Sequence, residues 1–266
     1  MTTPLAAEIR GIGLLGPGLD DWASGAPLLA GLAPYVSRTT VLPAPVALPA
    51  AERRRTGTVV RLALAIGFEA VSRSGLSAAE LPTVFSSSGG DGNNCHEICQ
   101  TLASEDRQIS PTRFHNSVHN AASGYWSIAA GATPAANVLC AFDASFGAGL
   151  LEALIQVVVG QTAVLLVAYD VGYPEPLRTV RPIPDAFGVA LVLAPRGSER
   201  VPFITAALTD APAQQMAEPQ FESLRVTIPA ARSLPLLEKL ARRESGPVVL
   251  DYLEAQRIAV EVSTWP

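Results

Sequence analysis

The fold is decided by the stretch Ala141-Phe142-Asp143-Ala144-Ser145-Phe146-Gly147-Ala148-Gly149, here called the elbow. An apolar run at 136–142 predicts a buried strand, and a second apolar run at 146–159 predicts a helix. Small residues fill the turn between them. This strand–turn–helix layout presents one side chain at a helix N-terminus, where oriented N–H groups and the helix dipole favour negative charge. We therefore expect the functional position at the elbow.

Strand and helix patterns alternate around the elbow. From Ala50 to Ser74 apolar residues recur at helical spacing, and Gly75 ends the pattern as a C-terminal cap does. The elbow strand and helix, with a Val/Leu-rich strand at 162–168, predict a parallel crossover, and the whole order predicts an α/β fold. Further predicted elements are strands at 8–14, 82–86, 187–193 and 201–207 and helices from Asp20 and at 94–103.

The last part of the chain differs in texture. Strands at 187–193 and 201–207 are separated by a short Pro/Gly/Arg connection, which predicts a hairpin at a sheet edge. After Asp210 come Pro, Gln and Ala, then a helix at 233–244 and a strand at 257–262. We therefore expect a main domain at 1–210 and a C-terminal extension at 211–266 with a short helix and strand.

Composition and charge disfavour several kinds of partner. The 266 residues have a formal net charge of −5, and the arginines are scattered apart from the run at 53–55, which disfavours nucleic acid. The N-terminus lacks the pattern of a signal peptide, and no stretch approaches the roughly 20 apolar residues that span a bilayer. Three cysteines argue against a disulfide framework. We expect a cytoplasmic protein without membrane insertion.

Two motifs can be interpreted either as structural features or as functional sites. Residues 11–16 match the dinucleotide pattern GxGxxG, but Pro17 follows and Asp20 and Asp21 lie too close, so a tight turn is favoured. The Cys/His groups at 95–99 and 115–119 have helical spacing but lack a full set of zinc ligands. We expect no metal site.

A helical pattern at 110–131 has one polar face. Asn116, His119, Asn120 and Ser123 follow each other at helical spacings, and His115 precedes His119 by one turn. Because the acid and the third ligand of an HExxH zinc site are missing, we interpret this face as a contact with a subunit or ligand.

Several segments together resemble the first half of a β-ketoacyl synthase. They are the elbow with its strand, Asn120 with Gly124 four residues on, and Ser110-Pro111 before them. Residues 9–13, 86–89 and 187–193 fit the same resemblance, which covers roughly 8–208. It implies an α/β, thiolase-like half with α-β-α layers, a mixed, mostly parallel sheet and helices on both faces.

The departures from that family concern its chemistry. When the elbow is matched without gaps, the family's nucleophilic cysteine falls on Asp143, and a carboxylate is a feeble nucleophile towards a thioester. The family also uses two histidines and a lysine from its second half, whereas His96, His115 and His119 all precede the elbow. At about half the family's usual length, the chain is expected to lack that second half or to keep it only as the tail after 210. The resemblance therefore implies a protein that is not an enzyme.

The resemblance is greatest to the chain length factors of type II polyketide systems, and among them to the short factors of aryl polyene synthesis. It implies pairing with an active β-ketoacyl synthase as a heterodimer or heterotetramer, indirect contact with an acyl carrier protein, and no cofactor. Asp143 is then the vestigial nucleophile position. Residues implied at the elbow or along the acyl tunnel are Phe142, Ala144, Ser145, Phe146 and Val118. Residues implied at the dimer seam are Phe114, His115, Asn116, His119, Asn120 and Tyr125.

Two alternatives stay open at this point. The first is an acyl-thioester hydrolase with Ser145 as nucleophile or Asp143 as base, for which His119 is the only plausible histidine. The second is a structural protein that forms homodimers through the helical pattern at 110–131. The sequence does not give the acyl length, the starter unit, the partner or the role of the tail.

Overall fold

The computed structural model describes residues 4–197 and 201–264. They form an eight-stranded sheet of order β3-β2-β4-β5-β1-β6-β8-β7. The strands are β1 (Leu5–Leu15), β2 (Thr83–Ser86), β3 (Ala136–Leu139), β4 (Val164–Asp170), β5 (Phe187–Ala194), β6 (Phe203–Thr209), β7 (Gly246–Leu250) and β8 (Arg257–Ser263). The α-helices are α1 (Trp22–Leu29), α2 (Ala50–Arg53), α3 (Thr58–Ser74), α4 (Gly92–Ala103), α5 (Pro111–His115), α6 (Ala121–Ala130), α7 (Ser145–Gly160), α8 (Leu177–Val180), α9 (Pro219–Thr227) and α10 (Leu234–Arg242).

The sheet separates two hydrophobic cores. Side chains of a strand point alternately to opposite faces, so in β5 Val189 and Leu191 join one core and Ala190 and Val192 the other. Helices α7, α9 and α10 cover the first face, and α3 and α6 cover the second. The predicted α/β fold with α-β-α layers is confirmed.

The sheet is mixed, as predicted, but it is not mostly parallel. Two of its seven strand pairs, β2 with β3 and β2 with β4, are parallel, and the other five are antiparallel. The crossover through α7 keeps β3 and β4 parallel, whereas the connection 171–186 returns the chain so that β5 runs against β4. Only the strands around the elbow therefore have the parallel arrangement.

The predicted hairpin between the strands at 187–193 and 201–207 is wrong. The N-terminal strand β1 lies between β5 and β6 and pairs with both, and Glu8 faces Ala194 on one side and Phe203 on the other. At 11 residues, β1 is long enough to pair with β5 along one part and with β6 along the other. A local signal of two strands and a short connection cannot reveal a third strand inserted from far away in sequence.

The residues after 210 are built into the same sheet and core. Strand β8 pairs with β6 from Phe203–Ser263 to Thr209–Arg257, and β7 adds the edge strand beyond it. Leu234, Leu236 and Leu237 of α10 are buried in the core beneath the sheet. This segment therefore contains more than the expected short helix and strand, and it continues the sheet instead of standing apart from it.

The glycines at 11 and 13 bring β1 against α3. A Cβ atom added at Gly13 would lie 2.0 Å from the carbonyl oxygen of Ile66, and one at Gly11 would lie equally close to that of Ala70. The GxGxxG pattern therefore reflects close contact between a strand and a helix. Helix α3 ends at Ser74 and is capped by Gly75, whose φ of +71° fits the predicted cap. The pattern that starts at Ala50 is interrupted between α2 and α3.

The expectation that no stretch approaches the length of a membrane span is wrong, because the helical stretch Phe142–Gly160 is long and apolar enough to cross a membrane by length and composition alone. Half of this stretch is buried inside the protein. Phe146, Leu150 and Leu154 of α7 belong to the hydrophobic core below the sheet. The apolar character of α7 is therefore that of a core helix.

We expect Gly13→Ala to lower the free energy of unfolding by about 1–3 kcal/mol, because the new methyl group would displace α3 from β1. Urea denaturation of purified protein measures this. Gly124→Ala in α6 is the matched control, since nothing outside its own helix backbone lies within 4 Å of the added Cβ, and alanine favours the helix by up to about 1 kcal/mol. Equal effects of the two substitutions would contradict the close packing.

Candidate functional site

The elbow has the predicted strand–turn–helix layout. Strand β3 ends at Leu139, a 3-10 helix covers Phe142–Ala144, and α7 begins at Ser145. The predicted strand is three residues too long, because the backbone turns before Phe142. Phe142 has a φ of +51°, in the left-handed region that a non-glycine residue adopts only at a cost. The turn therefore stores backbone strain next to Asp143.

Ser145 holds the turn closed. Its hydroxyl donates to the carbonyl oxygen of Phe142 at 2.7 Å and accepts from the backbone N–H of Ala141 at 3.1 Å. Ser145 is buried, and its backbone carbonyl oxygen accepts a hydrogen bond of 2.6 Å from the hydroxyl of Ser86. Because the hydroxyl proton is already donated to a backbone carbonyl, Ser145 acts as a structural bridge across the elbow.

Asp143 is held between two arginines. Arg181 Nη2 lies 2.6 Å from Asp143 Oδ1, and Arg232 Nη2 lies 3.2 Å from Oδ2 and donates a hydrogen bond to it. The arginine side chains are 18% and 19% exposed, and that of Asp143 is 37% exposed. Two guanidinium groups thus neutralise the carboxylate and occupy its oxygen atoms. Chemically, the position is an ion-pair centre.

The two phenylalanines of the elbow differ in environment. Phe146 is buried in the hydrophobic core, and Ala144 is also buried. Phe142 is 62% exposed, and the guanidinium carbon of Arg181 lies 3.8 Å from the centroid of its ring. That distance is typical of a cation–π contact. Only Phe142 is therefore available to another molecule.

A second acid, Asp170, lies fully buried at the end of β4. Its Oδ1 accepts hydrogen bonds from the backbone N–H and the hydroxyl of Ser88, at 2.9 and 2.6 Å, and its Oδ2 accepts one of 2.8 Å from the N–H of Ala230. Burial raises the pKa of Asp170 to about 6, and the hydrogen bonds oppose that rise. Asp170 thereby ties the loop after β2 to the 3-10 helix Pro229–Ser233, which carries Arg232.

Sequence reasoning missed Arg181, Arg232 and Asp170. Arg181 and Arg232 reach Asp143 from 38 and 89 residues away, and no local pattern marks an arginine that will fold back over such a distance. Asp170 was recognisable in the sequence. It is the last residue of a strand of otherwise mostly apolar residues, and an acid in that place must be buried or functional.

The helical pattern at 110–131 is interrupted in the structure. Helix α5 ends at His115 and α6 begins at Ala121, so His115 and His119 do not share one helix face. Asn116 lies in the break, where its side-chain amide donates to the carbonyl of Arg55 at 2.7 Å and its oxygen accepts from Tyr125 at 3.2 Å. These buried bonds replace the helix bonds lost there.

The predicted seam residues fall into two groups. Asn116 and Tyr125 are buried within the protein, and His119 is half-buried beside Gly90. The others lie around an open groove of about 570 Å³ next to α6, to which Tyr125 also contributes part of its ring. Its lining residues are Pro111, Phe114, His115, Val118, Asn120, Ala121, Gly124, Tyr125 and Ile128. The exposed Phe114, Val118 and Ile128 make this groove largely apolar.

The same end of the molecule has a free sheet edge. Helix α6 leads after five residues into β3, which is the outermost strand and pairs with β2 alone within 4–197 and 201–264. Ala136 and Asn137 of β3 are exposed. A free edge presents unpaired backbone N–H and C=O groups that another chain can pair with.

Across residues 4–197 and 201–264, no group of three or more His, Cys, Asp or Glu residues is placed to hold a metal ion.

Ionisation of buried Asp170 is expected to make stability depend on pH. Because the folded pKa of about 6 lies above the ordinary value of 3.8, the contribution of this group is fully present below pH 4 and is lost as pH rises through 6. Asp170→Asn removes that titration. The difference in unfolding free energy between wild type and variant should change by about 2–2.5 kcal/mol between pH 4 and pH 7. A difference that is constant with pH, measured by urea denaturation, would contradict the shift.

Asp143→Ala should lower the free energy of unfolding by about 1–2 kcal/mol, because two largely buried guanidinium groups lose their shared partner. Thermal and urea denaturation measure the loss. Asp20→Ala is the control, since Asp20 pairs at 3.0 Å with Arg38 where both side chains are mostly exposed, and its removal should cost under about 0.5 kcal/mol. Equal losses for the two variants would argue against a special role for the Asp143 pair.

Comparison with solved structures gives whole-chain matches to ketosynthase complexes. A structure described as the ketosynthase ApeO in complex with its chain length factor ApeC, from Xenorhabdus doucetiae, matches with a TM-score of 0.73 and 24% identity, over 96% of this chain and 99% of that one. The ishigamide ketosynthase/chain length factor matches with a TM-score of 0.71 and 13% identity, over 98% and 100%. AntDE:AntF, described as a type II acyl carrier protein in complex with its ketosynthase, matches with a TM-score of 0.77 and 12% identity, over 99% and 100%.

These structural likenesses establish the thiolase-like fold. No curated protein sequence matches the chain. The family model described as the N-terminal domain of β-ketoacyl synthase matches residues 32–245, which include the elbow and both arginines that hold Asp143. The predicted resemblance is thereby confirmed: the chain belongs to the β-ketoacyl synthase N-terminal domain family.

Proposed function

We propose that this chain is a non-catalytic chain length factor that pairs with an active β-ketoacyl synthase and shapes its acyl tunnel in polyene or polyketide synthesis. The observation that carries the proposal is the ion-pair centre at the nucleophile position, where Asp143 lies between Arg181 and Arg232. Condensation through an acyl-enzyme requires a thiolate at the helix N-terminus. A carboxylate whose oxygens are bound by two guanidinium groups cannot supply one.

The hydrolase alternative lacks a base. A serine nucleophile needs a histidine in hydrogen-bond contact, but the Ser145 hydroxyl donates to the carbonyl of Phe142 instead. Within the ranges that the structure describes, no histidine bonds to Ser145 or Asp143. His115 packs edge-on against Tyr125, with ring centroids 6.1 Å apart. The geometry therefore favours a subunit over a hydrolase.

A ketosynthase partner is supported by the surface next to the elbow. The apolar groove beside α6 and the free edge of β3 adjoin each other in the chain, and together they offer buried apolar area and backbone pairing to a second subunit. The matched structures include ketosynthases with their chain length factors. We place Val118 at the wall of the shared tunnel, because its exposed side chain lines the groove.

The finer assignments follow the same proposal. The partner is a ketosynthase in a heterodimer or heterotetramer, which itself receives the acyl carrier protein. The pathway is of the aryl polyene type, and the compartment is the cytoplasm. A homodimer formed through the same groove and sheet edge is the competing assembly, and no contact within the chain distinguishes the two.

Co-expression with a ketosynthase from the same organism tests the proposal. We expect the two chains to co-purify, and the reconstituted pair, supplied with carrier protein and malonyl units, to give longer products by mass spectrometry than the ketosynthase alone. Asp143→Asn should leave product formation within about twofold below its own unfolding temperature, because no bond is made at that side chain. A homodimer that ignores the ketosynthase, or loss of all turnover in folded Asp143→Asn, would overturn the assignment.

A further inference from the structure

We propose that Phe142 is an anchor for the partner subunit, fixed in its binding orientation before the partner arrives. The inference rests on the proposed function, since it assigns one residue to the contact between this chain and a ketosynthase. It is carried by an exposed aromatic ring whose backbone and one face are both held by contacts within the elbow.

The ring of Phe142 is fixed from the side of Arg181. The guanidinium carbon lies 3.8 Å from the ring centroid, while Arg181 Nη2 lies 2.6 Å from Asp143 Oδ1. Arg181 is itself largely buried, so it cannot swing away with the ring. With 62% of its surface exposed, Phe142 nevertheless leaves most of the ring open to another molecule. The ion pair at the vestigial position thus orients an outward-facing aromatic group.

The backbone of Phe142 is fixed from the other side. Its carbonyl oxygen accepts the Ser145 hydroxyl at 2.7 Å, and the N–H of Ala144 donates across the turn to Ala141 at 2.9 Å. These bonds hold φ at +51°, where glycine would be unstrained and phenylalanine is not. A side chain this exposed gains little from burial within its own chain that would offset the strain. Backbone strain of this kind is a sign of function. The part of Phe142 that makes few contacts within the chain, and is therefore free to serve that function, is its aromatic ring.

Two exposed residues close to Arg181 in the chain indicate the chemistry of the partner's surface. Val180, next to Arg181 in the chain, is 80% exposed. Arg178, on the same short helix, is exposed and has no ion-pair partner in the part of the chain that the structure describes. Aromatic rings and arginines are the usual energetic centres of protein interfaces. We infer an apolar pocket on the ketosynthase that receives Phe142 and Val180, with a carboxylate at its rim for Arg178.

Substitution by glycine separates anchoring from folding. Phe142→Gly should raise the Kd for the ketosynthase that co-purifies with the wild-type chain by at least about tenfold, the range expected for losing a rigid aromatic anchor. The thermal midpoint of the isolated chain should stay equal or rise, because glycine relaxes at this φ. Arg178→Glu should also weaken binding, more strongly at low salt than at high salt. Val159→Ala, at an exposed position near the other end of α7, is the control and should leave Kd within about twofold.

The outcomes distinguish the two proposals. If the wild-type chain binds the ketosynthase and Phe142→Gly binds equally well, the anchor is rejected and the proposed function stands. A lower thermal midpoint that accompanies the weaker binding would assign Phe142 to folding and would also reject the anchor. If the wild-type chain fails to bind, the proposed function itself is rejected.

Discussion

The buried carboxylate of Asp170 organises the region on which the candidate site depends. Three donors from two distant segments, the N–H and hydroxyl of Ser88 and the N–H of Ala230, converge on one side chain at the end of β4. Because a buried charge without donors would cost several kcal/mol, these contacts hold both segments to the end of β4. Arg232 lies two residues beyond Ala230, so its reach to Asp143 follows from this contact.

The elbow connects distant parts of the chain. The 171–186 connection supplies Arg181 and the C-terminal segment supplies Arg232, and both guanidinium groups meet on Asp143. Gly147 lets the Tyr252 ring pack closely against the start of α7, since an added Cβ there would come within 2.8 Å of that ring. At the position that a gapless match assigns to the family's nucleophile, the side chain thus makes ion pairs within the protein.

The sequence allowed the local features of this site to be predicted, and the long-range ones escaped. The elbow around Asp143 was predictable because its strand, small-residue turn and apolar helix follow one another directly in the sequence. The cap at Gly75 was predictable from an equally local pattern. The position of β1 between β5 and β6 depends on backbone pairing that any apolar strand can make, so the sequence suggested a hairpin instead. The partners of Asp143 were unpredictable for a similar reason, since an arginine has no periodic signature.

Interrupted helices show a further limit. Helical spacing continues from 110 to 131, yet the helix is interrupted between His115 and Ala121, where Asn116 bonds to Arg55 and Tyr125 instead. Propensity and periodicity describe what a segment does alone. Here the break is accompanied by two contacts from other segments, the backbone carbonyl of Arg55 and the hydroxyl of Tyr125.

The free edge of β3 has a consequence for the life of the protein in the cell. The outer edge of this four-residue strand leaves backbone groups unpaired beside an apolar groove, and exposed edges also recruit unwanted neighbours. A chain synthesised in excess of the ketosynthase proposed to cover this edge would be prone to aggregation and open to proteolysis. Its abundance would then be set by the supply of the other subunit, which keeps the two in matched amounts without any dedicated regulator.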